Sequence, residues 1–364
     1  LYAAALEERE ADLPPLPVQY ADYAAWQRDW LSGAVLEEQI AYLRDRLDAA
    51  PALLELPADR PRPAVKTYRG GHLTLTLAPE LTERLEAFSR AKGATLFMTL
   101  LAGFKVLLHR YSGAEDILVG SPIANRTHAQ TEDLVGFFVN TLVLRSTVTR
   151  ETSFEALLSR VRETALDAYA HQDLPFETLV NALQPERSLS HSPLFQVMFA
   201  LQNAPQEELR LGDATIQTLQ PDLETAKFDL TLSIEAGPLG LTCNWECAGD
   251  LFDPSRIDRM AEHYRTLLES LLAAPEASVG TLPLLTDAGQ TELTSWAGGA
   301  SAYPRDASLA DLFGEIVAAS PDAPALRFGE AALTYAELDD RSSRLAAYID
   351  AQYAPEGGAV IGRV

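Results

Sequence analysis

The residues of this 364-residue chain that could do chemistry are concentrated between Val119 and Glu177. Asn140 ends the run Val135-Gly136-Phe137-Phe138-Val139 and precedes Thr141. A primary amide carries donors and an acceptor together, so Asn140 could orient a carbonyl; it could equally close the end of a buried strand. Ser121 and Asn125, within Val119-Gly120-Ser121-Pro122-Ile123-Ala124-Asn125-Arg126, could line the same site or satisfy a turn. His171 and Asp173 are close enough in sequence for proton transfer. Pro175 and Glu177 just beyond favour a different role, with Asp173 capping a short helix. His128 and Glu132 have the i,i+4 spacing of two metal ligands on a helix, but without a third ligand nearby they read as a solvated pair. No Gly-x-Ser-x-Gly stretch occurs, which disfavours a strand-to-helix serine nucleophile.

The elements that must position these residues follow from hydrophobic period. Tyr20, Tyr23, Trp26 and Trp30 recur near helical spacing and predict one aromatic face used for packing. Leu36, Ile40, Leu43 and Leu47 predict the next helix. Residues 50–71, rich in Pro and Arg, predict an extended connection. His72–Leu77 alternates as a strand, and Leu81, Leu85 and Phe88 share a helix face that ends near Gly93. A mostly apolar helix is expected from Leu96 to Tyr111, with Thr95 as its cap and Gly113 as its stop. Ile117–Val119 and Asn140–Arg145 read as short buried strands, and Ser153 caps a helix carrying Phe154, Leu157, Leu158 and Val161. Alternating residues in 195–202, 228–234 and 239–245 predict three strands with one buried face. A last helix runs from Pro254 to Leu272.

Composition bounds the function classes. Apolar residues at 47% supply real cores, and 52 acidic against 29 basic residues leave a net charge of −23. That charge argues against nucleic acid and against anionic membranes as partners. The longest apolar run, Ala94–Phe104, stops at Lys105 and is too short to span a bilayer. No leader pattern opens the chain, and the expected location is the cytoplasm. Cys243 and Cys247 form no Cys-x-x-Cys pair and read as free buried thiols. The chain begins at Leu1, not Met, and reads as a piece of something longer.

Five segments carry a resemblance. They are Gln19-Tyr20-Ala21-Asp22-Tyr23-Ala24-Ala25-Trp26-Gln27, then Val119–Arg126, Val135–Thr141, His171-Gln172-Asp173-Leu174-Pro175-Phe176-Glu177, and Arg187-Ser188-Leu189-Ser190-His191-Ser192-Pro193-Leu194-Phe195-Gln196. In this order they resemble the YxDYAxWQ, pre-motif strand, VGxFVNT, HQDxPFE and RxxSxxPLFQ segments of the condensation domain of nonribosomal peptide synthetases. Further on, Leu282-Pro283-Leu284-Leu285-Thr286 is similar to the linker between condensation and adenylation domains. Tyr303–Asp306, Pro321–Leu326 and Leu333–Leu338 resemble the first residues of an adenylation (AMP-binding) domain.

The resemblance implies an α/β fold. Residues 1–273 would be the C-terminal lobe of a chloramphenicol-acetyltransferase-like domain, a mixed sheet flanked by helices. Residues 274–304 would be a linker, and 305–364 a truncated adenylation start. It implies peptide-bond formation between aminoacyl or peptidyl thioesters on donor and acceptor carrier proteins. This chain itself would bind no cofactor; phosphopantetheine would arrive on the carriers. Substrate-facing residues would be Asn140, Ser121 and Asn125, and an adjoining adenylation domain would be a further partner.

The family's HHxxxDG is missing: no two His are adjacent, and no His is followed four residues later by Asp. Leu1–Ala5 is similar to the helix after that motif, so the motif is expected just upstream, and this chain is expected to be inactive alone. Two other readings stand beside the first: a non-catalytic docking lobe for carrier or neighbouring domains, and part of an epimerization-type domain.

Overall fold

A computed structural model describes residues 2–6, 8–185, 188–202, 224–297, 304 and 306–353. Its contacts divide the chain into two compact units, Leu1–Gln290 and Thr291–Val364.

The first unit opens with three helices, α1 (Tyr2–Leu6), α2 (Tyr20–Trp30) and α3 (Gly33–Arg46). After the extended stretch come β1 (Gly70–Leu77), α4 (Pro79–Ala91), α5 (Leu96–Ser112), β2 (Asp116–Ile123), β3 (Asn140–Thr147), α6 (Phe154–Ala170) and α7 (Phe176–Leu183). β4 (Val197–Gln202), β5 (Leu230–Gly237), β6 (Gly240–Ala248) and α8 (Pro254–Ala273) complete its body. The six strands form one sheet in the order β1-β6-β5-β4-β2-β3. β4 runs parallel to both β2 and β5, and every other pairing is antiparallel. This is a mixed α/β sheet with helices on both faces.

The main core lies between the sheet and α4, α5, α6 and α8, with Phe104, Phe154, Phe199, Trp245 and Tyr264 fully buried. α5 is its central helix. The Thr95 hydroxyl accepts from the Met98 amide at 3.2 Å, and Gly113 ends the helix at φ +71°, donating to the His109 carbonyl. A smaller core on the other face joins Leu47, Leu118, Val143, Leu174, Leu179 and Phe195 to apolar residues of α3 and α7.

Several expectations need adjusting. The strands read at 117–119 and 140–145 are longer, eight residues each. Leu239 is not in a strand: it sits exposed in the tight turn between β5 and β6, which the left-handed Gly240 closes at φ +106°. Lys105, which ends the longest apolar run, does not face solvent. It is fully buried in mid-α5, where its Nζ donates to the Leu144 carbonyl at 2.9 Å and to Ser146 Oγ at 2.7 Å. Burial lowers its pKa to about 7.

The stretch expected as a linker holds structure. Val279 and Leu282 are buried, and their carbonyls accept from Arg110 Nη1 at 2.8 Å each. Helix α9 (Asp287–Trp296) follows, and the divide between the two units falls within it. The second unit contains α10 (Leu309–Ala319), an antiparallel hairpin of β7 (Pro324–Phe328) and β8 (Ala331–Thr334), and α11 (Tyr335–Tyr353). Ser308 and Asp311 form a reciprocal cap at the start of α10, yet none of that helix's residues is fully buried. No single helix among the described residues is long and apolar enough to cross a membrane.

Candidate functional site

Asn140 stands at the first position of β3, where the segment Val135–Val139 enters the sheet. Its side chain is almost fully buried and uses all of its hydrogen-bonding capacity on the chain's own backbone. Nδ2 donates to the carbonyls of Gln172 and Leu174, both at 2.8 Å. Oδ1 accepts from the amides of Thr141 at 2.8 Å and Phe176 at 3.0 Å. The Phe176 amide opens α7, so Asn140 caps that helix from 36 residues away. This corrects the expectation that Asp173 caps it: Asp173 makes no hydrogen bond among the described residues, because the amide of Asn140 already fills that place.

His171 does not pair with Asp173 either. Its ring stacks on Tyr42 of α3 with centroids 3.6 Å apart, and its Nδ1 lies 3.0 Å from Gln39 Oε1. The loop 171–175 is thus tied to β3 by Asn140 and to α3 by His171.

The segment before β3 is held by a second set of contacts. Phe138 is buried, whereas Val135, Phe137 and Val139 are exposed. Phe138 packs against Tyr20 (5.2 Å, edge-on) and Tyr23 (4.8 Å) of α2. The Tyr20 hydroxyl donates to the Phe137 carbonyl at 2.9 Å. Gly136 is required here, since a Cβ would lie 2.2 Å from the Tyr20 ring. Arg126 lies over the Phe138 ring at 4.2 Å and donates to the carbonyls of Thr131, Glu132 and Leu134.

The aromatic stripe of α2 does pack on Phe138, but only through its first half. Trp26 and Trp30 stack on each other at 5.4 Å and stay about 40% exposed, and no residue of α2 is fully buried. Trp26 also meets the His128 ring edge-on at 5.0 Å, so His128 faces the aromatic group from a 3-10 turn, not from a helix shared with Glu132.

Ser121 and Asn125 lie on either side of the end of β2. Ser121 is buried within the strand, opposite Leu142. Asn125 adopts φ +51° and is nearly fully buried, and its Oδ1 has no hydrogen-bond partner among the described residues. Asp173 is half-buried; burial raises its pKa, and the nearby positive form of His128 opposes that rise. Burial also raises the Tyr23 pKa, and the Asp173 charge adds to it. Sequence reasoning missed Tyr23, Arg126 and His128 as parts of one group; the segments Gln19–Gln27 and Val119–Arg126 pointed to the first two, and nothing pointed to His128. Of the fifth segment, Arg187 lies outside the described residues, while Gln196 is buried and binds the Leu54 amide and the Ala52 and Ser192 carbonyls.

Four of the five segments therefore meet around Asn140 and Phe138. The condensation-domain family profile matches residues 1–294. The chain belongs to the condensation-domain family. It is 47% identical over 354 residues to one of the linear gramicidin synthase proteins of Brevibacillus parabrevis, covering 96% of this chain and 7% of that protein. It is 43% identical over 354 residues to phosphinothricin tripeptide synthetase PhsB of Streptomyces viridochromogenes, covering 95% of this chain and 30% of that one. The chain therefore spans under a third of either relative. The X-domain from teicoplanin biosynthesis superposes with a TM-score of 0.68 at 25% identity, over 78% of this chain and 66% of that structure. The four-domain synthetase holo-AB3403, bound to AMP and glycine, shares the fold with a TM-score of 0.73 at 23% identity, over 97% of this chain and 27% of that structure. As a condensation domain of the nonribosomal peptide synthetase type, the chain has the α/β, mixed-sheet fold expected of it.

Proposed function

We propose that this chain works as one part of a synthetase module that joins two carrier-bound aminoacyl or peptidyl thioesters through an amide bond. The observation that carries this reading is the convergence of the Val135–Thr141 and His171–Glu177 segments on Asn140, in a chain of this family. Amide formation needs a neutral amine held against a thioester carbonyl, and positioning supplies much of the rate. The rigid loop 171–175 and the strand start at Asn140 suit that positioning role.

In this reading the substrates come on phosphopantetheine arms of donor and acceptor carrier proteins, and no cofactor is held by the chain. Ser121 and Asn125 line the path of the arm. Asn140 positions the 171–175 loop and does not touch substrate, because its hydrogen-bonding groups are all in use. Residues 305–364 begin an adenylation domain in the same module. Cytoplasmic placement follows from the same reading.

A well-placed base adds about 10²–10⁴-fold to such a reaction, and the 364 residues contain no HHxxxDG. The test supplies two loaded carrier proteins to the chain alone and to the chain fused behind a segment bearing HHxxxDG. Dipeptidyl thioester, followed by mass spectrometry, is expected only from the fusion. A fusion that folds and yields no product would end the condensation reading. The exposed Val135, Phe137, Trp26 and Trp30 favour a second reading as a docking lobe; saturable carrier binding with no product from either protein would support it.

A further inference from the structure

β3 is an edge strand: it pairs with β2 on one side and, among the described residues, with no strand on the other. The register tells which of its backbone groups point outward. The Val148 amide donates to the Glu115 carbonyl at 2.7 Å, one step beyond the opposed pair Thr147 and Asp116. In an antiparallel ladder such hydrogen-bonded pairs alternate with pairs that turn their N–H and C=O groups away. The outward set is therefore Thr141, Val143, Arg145 and Thr147. Asn140 Oδ1 takes the Thr141 amide, and Arg160 Nη1 of α6 donates to the Thr147 carbonyl at 3.3 Å. The amides of Val143, Arg145 and Thr147 and the carbonyls of Val143 and Arg145 have no partner among the described residues. A strand edge of this kind is a template for a further strand.

The free stretch borders a cavity of about 560 Å³ whose walls are α3 and α6. Arg145 fixes the end of α3 beside it, donating from Nη1 to the carbonyls of Arg46 and Asp48 at 3.0 and 2.7 Å while its Nη2 holds Asp116 at 2.6 Å. The two walls differ in chemistry. Leu43 and Leu47 line the α3 side, and Arg160 lines the α6 side. Arg160 has no carboxylate partner among the described residues. Asp45 and Glu163 also border the cavity, so its positive character is local to the guanidinium groups. An ion pair between Arg46 and Asp167 joins the walls, but both side chains are about half exposed, and such a pair gives way readily.

We propose that the β3 edge is a docking groove for an extended segment of another polypeptide, which adds as a strand beside Val143–Thr147 with its apolar side chains on α3 and a carboxylate against Arg160. Only an extended backbone offers donors and acceptors at the two-residue spacing of the free groups, and its side chains alternate between the two walls as the lining requires. A second copy of this chain fits poorly, because symmetric pairing of the free stretch about its centre would set Arg145 directly against Arg145. The groove goes beyond the condensation reading and does not depend on it.

The test uses two labelled peptides, Val-Glu-Val-Glu-Val and Val-Lys-Val-Lys-Val, titrated with the whole chain by fluorescence anisotropy. Saturable binding of the acidic peptide is expected, several-fold tighter than that of the basic one. Arg160→Gln should remove most of that preference. Thr147→Pro deletes an outward amide and leaves the β2 ladder intact, since proline is tolerated where an edge N–H faces away from its neighbour strand. It should abolish binding with little change in urea stability. Hydrogen exchange across residues 143–147 of the unaltered chain should slow when the acidic peptide is bound, which tests the groove even if the proline variant does not fold. Absence of binding, equal binding of the two peptides, or binding without slower exchange at 143–147 overturns the proposal. Self-association of the chain that Thr147→Pro abolishes would assign the edge to a second copy and overturn it as well. The condensation reading stands in each of these cases.

Discussion

The amide of Asn140 does more for this fold than its place in a short motif suggests. Four hydrogen bonds to separate backbone groups make it the joint between β3, the 171–175 loop and α7. Asn140→Ala would leave two carbonyls and the Phe176 amide without partners in a buried place. A loss of about 3 kcal/mol in urea denaturation is expected. Asn140→Asp should be at least as damaging, since it turns an acceptor toward the Gln172 and Leu174 carbonyls. Unchanged stability in both variants would show that the amide serves only a ligand. Lys105 makes a second case. Its folded pKa, about 7, lies below the ordinary lysine value, so between pH 7 and about 10 the unfolded chain binds more protons than the folded one. Stability contributed by this residue therefore rises with pH across that window, and the penalty of a buried charge is fully present below it. Tyr264 and Cys243, whose pKa values burial raises, act in the opposite direction as pH rises. The comparison with Lys105→Met isolates the lysine: the unaltered chain should gain stability relative to the variant from pH 7 to 10, by on the order of a few kcal/mol. Parallel pH profiles would mean that Lys105 stays protonated inside the fold. Both residues were visible in the sequence, but neither role was, because each depends on partners 32 to 41 residues away.

Helices and strands were easier to read than side-chain roles. The caps at Thr95 and Ser153, the glycine stop at Gly113 and the alternating strands are local signals, and the elements form where those signals place them. Errors came where a segment's surroundings override its pattern. Alternation alone carried Leu239 into a strand, whereas the tight hairpin between β5 and β6 turns it out to solvent. The aromatic period of α2 was correct, but its second half covers no core, because α2 lies on the Phe138 loop and not on the sheet. Contact between elements also fixes residue size. A Cβ on Gly120 of β2 would lie 2.2 Å from the Phe195 ring, which stacks on Phe228 and packs on Phe176 of α7. Gly120→Ala should cost about 1–3 kcal/mol by overpacking. Phe195→Leu in the same chain should recover part of that loss, so the two effects should not add in thermal denaturation. Strict additivity would show that the strand shifts to accommodate the methyl group without pressing on Phe195.

For the whole chain, function depends on what is brought together. The first unit closes a core around α5, and residues as late as Val279 and Leu282 belong to it, although their composition resembles a linker. Proline, glycine and small residues are poor evidence of disorder when a half-buried arginine holds their carbonyls. The second unit forms its elements without fully burying any residue of α10. What the sequence determined by itself was the family, the order of the elements and the absence of HHxxxDG, because contiguous motifs and local periods survive in one dimension. Only the tertiary structure decided the role of each side chain. Asn140 caps α7, His171 clamps α3 and Lys105 lies under β3. Those roles are set by which groups find partners when distant segments pack, and spacing along the chain does not record that.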